Sequence, residues 1–108
     1  MAIVVKASGT QVATPGTEHV LTTQTDDESY VLVVDADEIV AGEELELKVK
    51  TKVLSGTTLE EAYEGSWDGP TAQPIKISIP VPSDIEFVAT LKQIGGSSRS
   101  FPWKVLAI

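Results

Sequence analysis

The sequence contains no cysteine and a single histidine, His19. Without thiols there are no disulfide staples and no thiolate metal sites. The fold must therefore be held by its own core. One histidine cannot supply the set of nitrogen and sulfur ligands that zinc takes. Positive charge is also scarce: eight Lys plus Arg stand against sixteen Asp plus Glu, a formal net charge of −8. Such a chain repels phosphate backbones and anionic headgroups. Lys48, Lys50 and Lys52 alternate along one segment beside acids, so they form no basic patch. Neither nucleic acid nor membrane is an expected partner. Long apolar runs are missing as well. Val31–Val34 falls far short of the ~20 residues of a spanning helix. The opening Met1-Ala2-Ile3-Val4-Val5-Lys6 has no basic region ahead of a long apolar stretch, which reads as no signal peptide and leads us to expect synthesis in the cytoplasm.

Signatures of catalysis are missing too. No Gly-x-Ser-x-Gly elbow occurs, and no motif supplies partners for a triad on His19. Ile94-Gly95-Gly96-Ser97-Ser98 lacks the lysine and the following helix of a phosphate loop; it reads as a flexible turn. The acidic clusters Asp26-Asp27-Glu28, Asp35-x-Asp37-Glu38, Glu43-Glu44-x-Glu46 and Glu60-Glu61 match no calcium-loop spacing. They read as solvated loop charge, and His19 reads as an exposed or hydrogen-bonded strand residue. No catalytic residue, metal ligand or cofactor site is expected, and the chain does not read as an enzyme.

What is present is a pattern of period two. In Glu44–Leu54, Leu45, Leu47, Val49, Thr51 and Val53 share one side, and Glu44, Glu46, Lys48, Lys50 and Lys52 the other. Side chains alternate across a strand, so the segment has one dry and one wet face. Ile75, Ile77 and Ile79 alternate with Lys76 and Ser78 until Pro80 removes a ladder donor. Ile85, Phe87, Ala89 and Leu91 alternate with Glu86, Val88, Thr90 and Lys92. Phe101, Trp103, Val105 and Ala107 alternate with Pro102, Lys104, Leu106 and Ile108. Tyr30–Val34 is β-branched and almost continuously apolar, as suits a central strand covered on both sides. Weaker strands are expected at Ala2–Lys6, near Gln11–Ala13, at Glu18–Thr23 and at Thr58–Trp67.

Breakers separate these runs: Ser8-Gly9, Thr14-Pro15-Gly16, Asp26-Asp27, Ala41-Gly42, Ser55-Gly56, Asp68-Gly69-Pro70, Pro80-Val81-Pro82 and Gly95-Gly96-Ser97-Ser98. The last of these reads as a β-hairpin with a slightly long loop. Asp35–Gly42 is the one place for a helical turn, capped by Asp37 and ended by Gly42. At 108 residues the chain fits one domain, 1–108, burying roughly 65% of its unfolded surface. The fold expected is all-β: a two-layer antiparallel β-sandwich of about eight strands, jelly-roll or immunoglobulin-like.

Phe101 and Trp103 share a core face. Trp67, beside Gly65, Asp68 and Gly69, reads as core, with an interface role as the alternative because Trp is enriched in interfaces; with Tyr63 it could also form a sugar-stacking platform. The apolar first strand, with Ile3, Val4 and Val5, is the other candidate interface, able to pair with a neighbouring edge.

Two longer stretches carry a resemblance. Gly42–Val49 with Lys52-Val53-Leu54-Ser55-Gly56, and Phe87–Gln93 with Gly96-Ser97-Ser98-Arg99-Ser100-Phe101-Pro102-Trp103-Lys104-Val105, resemble small proteins encoded among the structural genes of tailed bacteriophages. The most specific part is a Leu-Lys-Gln strand, a Gly/Ser turn with Arg, then Phe-Pro-Trp. The resemblance covers roughly Tyr30–Ile108. It implies a structural protein of the virion, most like the head-decoration (cement) proteins, which are small sandwiches that sit on the capsid as oligomers. The implied partners are the major capsid protein or another virion protein, and further copies of the chain as a trimer or dimer. The implied location is the virion, and a tail or head-tail component is the alternative. That class has no catalytic residues to carry over.

Overall fold

A computed structural model describes residues 3–108, which form nine strands. They are β1 (Val4–Val12), β2 (Glu18–Gln24), β3 (Glu28–Asp35), β4 (Glu44–Thr51), β5 (Glu60–Asp68), β6 (Ile75–Ile77), β7 (Val81–Ser83), β8 (Phe87–Ile94) and β9 (Ser100–Ala107). One sheet has the order β1-β9-β3-β6, with β7 also paired to β3; the other has the order β2-β8-β4-β5. The pairings among neighbouring strands are antiparallel.

The pairings nest. First pairs with last (β1 with β9), second with second-last (β2 with β8), β3 with the broken strand β6/β7, and β4 with β5 across the innermost turn. The chain is thus one long antiparallel ribbon rolled so that β3 meets β9 and β4 meets β8. This double Greek key is the jelly-roll form of the sandwich, which decides between the two topologies the sequence left open. Nine strands appear instead of about eight because Ile79-Pro80 interrupts the strand opposite β3. Pro80 has no N–H to give the ladder.

The core is built by four strands, and on β4, β8 and β9 it lies on the side that the period-two pattern picks out. Tyr30, Leu32 and Val34 from β3 and Phe101 and Val105 from β9 meet Leu45, Leu47 and Val49 from β4 and Phe87, Ala89 and Leu91 from β8. The Tyr30 and Phe87 rings stack across the two layers at 4.6 Å between centroids and 28° between planes. Burial holds the Tyr30 phenol up from its ordinary pKa, and its Oη donates to the Asp26 carbonyl at 2.6 Å.

Five local expectations need correction. Ser8-Gly9 does not break the chain: β1 runs unbroken through it, because a bulge between Val5 and Ala7 absorbs the misregister against β9. Ala2 lies outside the described residues. Val53, past the end of β4 at Thr51, is exposed rather than in the core. Asp35–Gly42 forms turns, not a helical turn; Asp35 Oδ1, not Asp37, accepts the capping N–H, from Asp37 at 3.0 Å. Gly42 does take a left-handed conformation, at φ 88°. Finally, Gly95-Gly96-Ser97-Ser98 is no hairpin: β8 and β9 belong to different sheets, so this turn crosses the sandwich.

The sixth correction is the most consequential. In β6 and the residue pair after it the alternation holds, but its direction is opposite to a core strand's. Ile75, Ile77 and Ile79 are 51%, 59% and 54% exposed, whereas Lys76 and Ser78 are 8% and 4% exposed. Ser78 turns inward because its Oγ accepts the Leu32 N–H at 3.0 Å and donates to the Ile79 carbonyl at 2.9 Å. Lys76 turns inward to lay its stem along the sandwich edge, with Nζ 5.2 Å from the Trp67 ring centroid and 2.9 Å from Thr71 Oγ1.

A truncation pair checks this orientation. Leu47→Ala should cost about 2–5 kcal/mol, as for a filled core site, whereas Ile77→Ala should stay within about 1 kcal/mol, as for a surface change. Denaturant midpoints at unchanged slope measure both.

Candidate interaction surface

The two outer faces of the sandwich differ in chemistry. On the β2-β8-β4-β5 sheet the wet sides of β4 and β5 carry Glu44, Glu46, Lys48, Lys50, Glu61 and Glu64, and acids meet lysines. Lys48 Nζ lies 3.1 Å from Glu61 and 3.6 Å from Glu46, Lys50 lies 3.1 Å from Glu18, and Lys52 lies 3.5 Å from Glu86. The Glu61 carboxylate holds the Lys48 pKa above its usual range. Exposed pairs of this kind contribute about 0–1 kcal/mol each. They keep the face hydrated rather than hold the fold.

The outer face of the β1-β9-β3-β6 sheet is apolar. The strand register sets its rows. Val5 pairs with Leu106 and Leu106 with Val31; Ser8 pairs with Lys104, Lys104 with Val33 and Val33 with Ile77; Thr10 pairs with Pro102, and Asp35 with Ile75. Ile79 and Ile108 extend the patch at its ends, both exposed. Two charged side chains stand on it, Lys104 and Asp35. Along its middle runs a groove of ≈ 310 Å³ lined by Ser8, Val33, Asp35, Ile75, Pro102, Trp103 and Lys104. A larger recess of ≈ 510 Å³ on the opposite sheet is lined by Lys50, Leu59, Glu60 and Glu61. That recess is charged and carries no convergent apolar wall. On this face Val5, Ile75, Ile77, Ile79 and Ile108 are exposed, Val33 and Leu106 are half-buried, and Val31 is buried among its neighbours. A cluster of exposed aliphatic side chains on one sheet face exceeds the scattered apolar residues of an ordinary soluble surface and makes it the candidate contact site.

The residues singled out in the sequence fall as follows. Ile3, Val4 and Val5 are exposed at the sheet edge. Val4 and Val5 pair with β9 on one side, while among the described residues no strand pairs with the other edge of β1. They adjoin the apolar face, of which Val5 is part. Trp67 lies elsewhere: it is half-buried, packs against the core and lies beneath Lys76. With Tyr63 it encloses Gly65, where a Cβ would meet both rings. His19 Nε2 accepts the Thr14 N–H at 3.0 Å. Among the described residues, no group of three or more His, Cys, Asp or Glu could hold a metal ion.

A polar cluster at one end of the sandwich escaped the sequence reading. Glu43 enters β4 almost fully buried. Its carboxylate accepts from Arg99 Nη2 at 2.9 Å and Nε at 3.0 Å, from the Val40 N–H at 3.2 Å and from the Ser97 N–H at 3.2 Å. Gln93 completes it, donating to the Gly95 and Ser97 carbonyls at 2.9 and 2.6 Å and accepting the Arg99 N–H at 3.1 Å. Gly96 is required here: its φ is 74°, and a Cβ would strike the Glu43 carboxylate. The crossover expected to be flexible is thus tied down, and β9 is delivered into the apolar sheet in register. The one signal in the sequence was an arginine inside a Gly/Ser turn. Its partner lies 56 residues away.

Compared with protein-family models, curated proteins and solved structures, the chain matches none.

The Glu43 cluster predicts a pH dependence. The Arg99 guanidinium, with the Val40 and Ser97 N–H groups, holds the Glu43 carboxyl below its ordinary value of 4.5, against the opposing effect of burial. A depressed folded-state pKa adds stability above the ordinary value and loses it as pH falls through the folded one. Glu43→Gln should therefore be less stable than wild type at neutral pH, and should lose less of its melting temperature between about pH 5 and pH 3. Thermal melts across that range check it.

Proposed function

We propose that this chain is a structural protein of a tailed-bacteriophage particle, acting by contact rather than turnover, and specifically a head-decoration protein that clamps the capsid surface. The observation that carries a contact role is the bare apolar outer face of the β1-β9-β3-β6 sheet. It is built on paired strands, and Val5, Ile75, Ile77 and Ile79 stand exposed on it. The phage assignment is supported by the Leu-Lys-Gln strand, the Gly/Ser turn with Arg and the Phe-Pro-Trp strand, which are β8, the crossover and β9. A compact, thiol-free sandwich with an ion-paired outer layer on one side and an aliphatic one on the other suits a part that meets different neighbours through surfaces of different chemistry.

Decoration of a lattice needs many copies, each held modestly, because repetition multiplies weak contacts. Particles purified from the phage that encodes this chain should contain it at a stoichiometry matching a lattice repeat, and density for a two-layer sandwich should stand on the capsid surface in cryo-electron microscopy. Density at the tail or neck instead would move the protein to the alternative structural role. Its absence from purified particles would overturn the reading.

A further inference from the structure

We propose that the apolar face of the β1-β9-β3-β6 sheet is covered by a second copy of this chain, packed face to face about a two-fold axis. The proposal rests on the contact role given above and names the first partner of that face. Three features of the face choose a like copy.

The first is charge. The chain as a whole carries −8, so two copies meeting through most of its surface would set acid against acid. The apolar part of this face carries one lysine and one aspartate, with Asp37 and Glu38 confined to the rim beside Asp35. Lys104 stands opposite Val33, while Asp35 lies two residues further along the same strand, so the two are diagonal neighbours on one face. Neither takes part in an ion pair among the described residues. A two-fold contact is self-complementary: where residue i of one copy meets j of the other, j of the first meets i of the second. An axis passing between Lys104 and Asp35 sets each against its opposite on the facing copy.

The second feature is size. The molecule is a slab with extents of 40 × 31 × 19 Å, the thin direction being that of sheet stacking. Contact over roughly two-thirds of one broad side reaches the ~800 Å² per partner of a stable interface. The third is texture. Rows of β-branched and leucine side chains (Val5, Val33, Ile75, Ile77, Ile79 and Leu106) are the same material that fills the space between the two sheets inside the sandwich. Sheets packed this way lie about 10 Å apart with their side chains interdigitated.

Sedimentation equilibrium of the full chain over a concentration series tests this. Wild type should show a monomer–dimer equilibrium that survives high salt, because most of the contact is apolar. Ile77→Asp should abolish the dimer with an unchanged circular dichroism spectrum. Lys104→Asp alone and Asp35→Lys alone should each weaken it about tenfold, as like charges then face each other. The double variant Asp35→Lys/Lys104→Asp should restore it. Asp35 also accepts a turn hydrogen bond, so if its variant fails to fold, Ile77→Asp and Lys104→Asp decide the matter together. A wild type that stays monomeric at the highest concentration, or a dimer indifferent to Ile77→Asp, would overturn the proposal. A monomer still present in purified particles would sink the dimer and leave the virion role standing. A dimer missing from particles would do the reverse.

Discussion

Stacking of the two inner sheet faces is the contact on which everything else in this molecule depends. Tyr30 over Phe87, flanked by Leu32, Leu45, Leu47 and Leu91, removes the alternate side chains of the central strands from water. Full burial of each such residue stabilises by roughly 1.5–3 kcal/mol before the cost of ordering the chain. The nested pairing joins these layers, with β1 and β9 closing the ribbon outside the inner pairs. With no disulfide available, the layered core and its ladders are what hold the fold.

Because the inner faces supply the stability, the outer faces are free to differ, and they do. One is laced with Lys–Glu pairs and the other is aliphatic. The Glu43–Arg99–Gln93 cluster belongs to this division of labour. It fixes the crossover that carries the chain from the charged sheet into the apolar one, so that Pro102, Lys104 and Leu106 emerge on the outer side and Phe101 and Val105 on the inner. A buried carboxylate with four donors is satisfied where it lies. Removing Arg99 would strand it. The cluster thus connects a turn sequence to the composition of the surface that follows it on β9.

Period two is legible wherever it is strong, which is why β4, β8 and β9 were readable from residues alone, while β3 was readable as a strand from its β-branched apolar run without a core side. The same rule cannot say which side of a strand faces inward. For β6 it was misleading, because Ile75, Ile77 and Ile79 look like core and Lys76 and Ser78 look like surface. Tertiary demands decided otherwise: the Leu32 N–H needed Ser78, and the sandwich edge at Trp67 needed the long stem of Lys76. Partnership at long range was equally hidden. Glu43 and Arg99 are far apart in sequence, and Gly95-Gly96 looks the same whether it closes a hairpin or crosses between sheets. The exposed Ile3, Val4 and Val5 were flagged by composition alone. They border the apolar face, while Trp67, read as core with an interface role as the alternative, packs against the core.

The account stands or falls on the direction of the isoleucine row, and the absence of native cysteine allows a clean measurement of it. Single substitutions Ile75→Cys, Ile77→Cys and Ile79→Cys, set beside Ser78→Cys and Leu32→Cys, can be titrated with a thiol reagent in dilute folded protein and again in denaturant. The orientation described here predicts that thiols at 75, 77 and 79 react nearly as fast folded as unfolded, and that those at 78 and 32 react many-fold more slowly when folded. Protection at 75, 77 and 79 with free reaction at 78 would contradict it, and with it the apolar face.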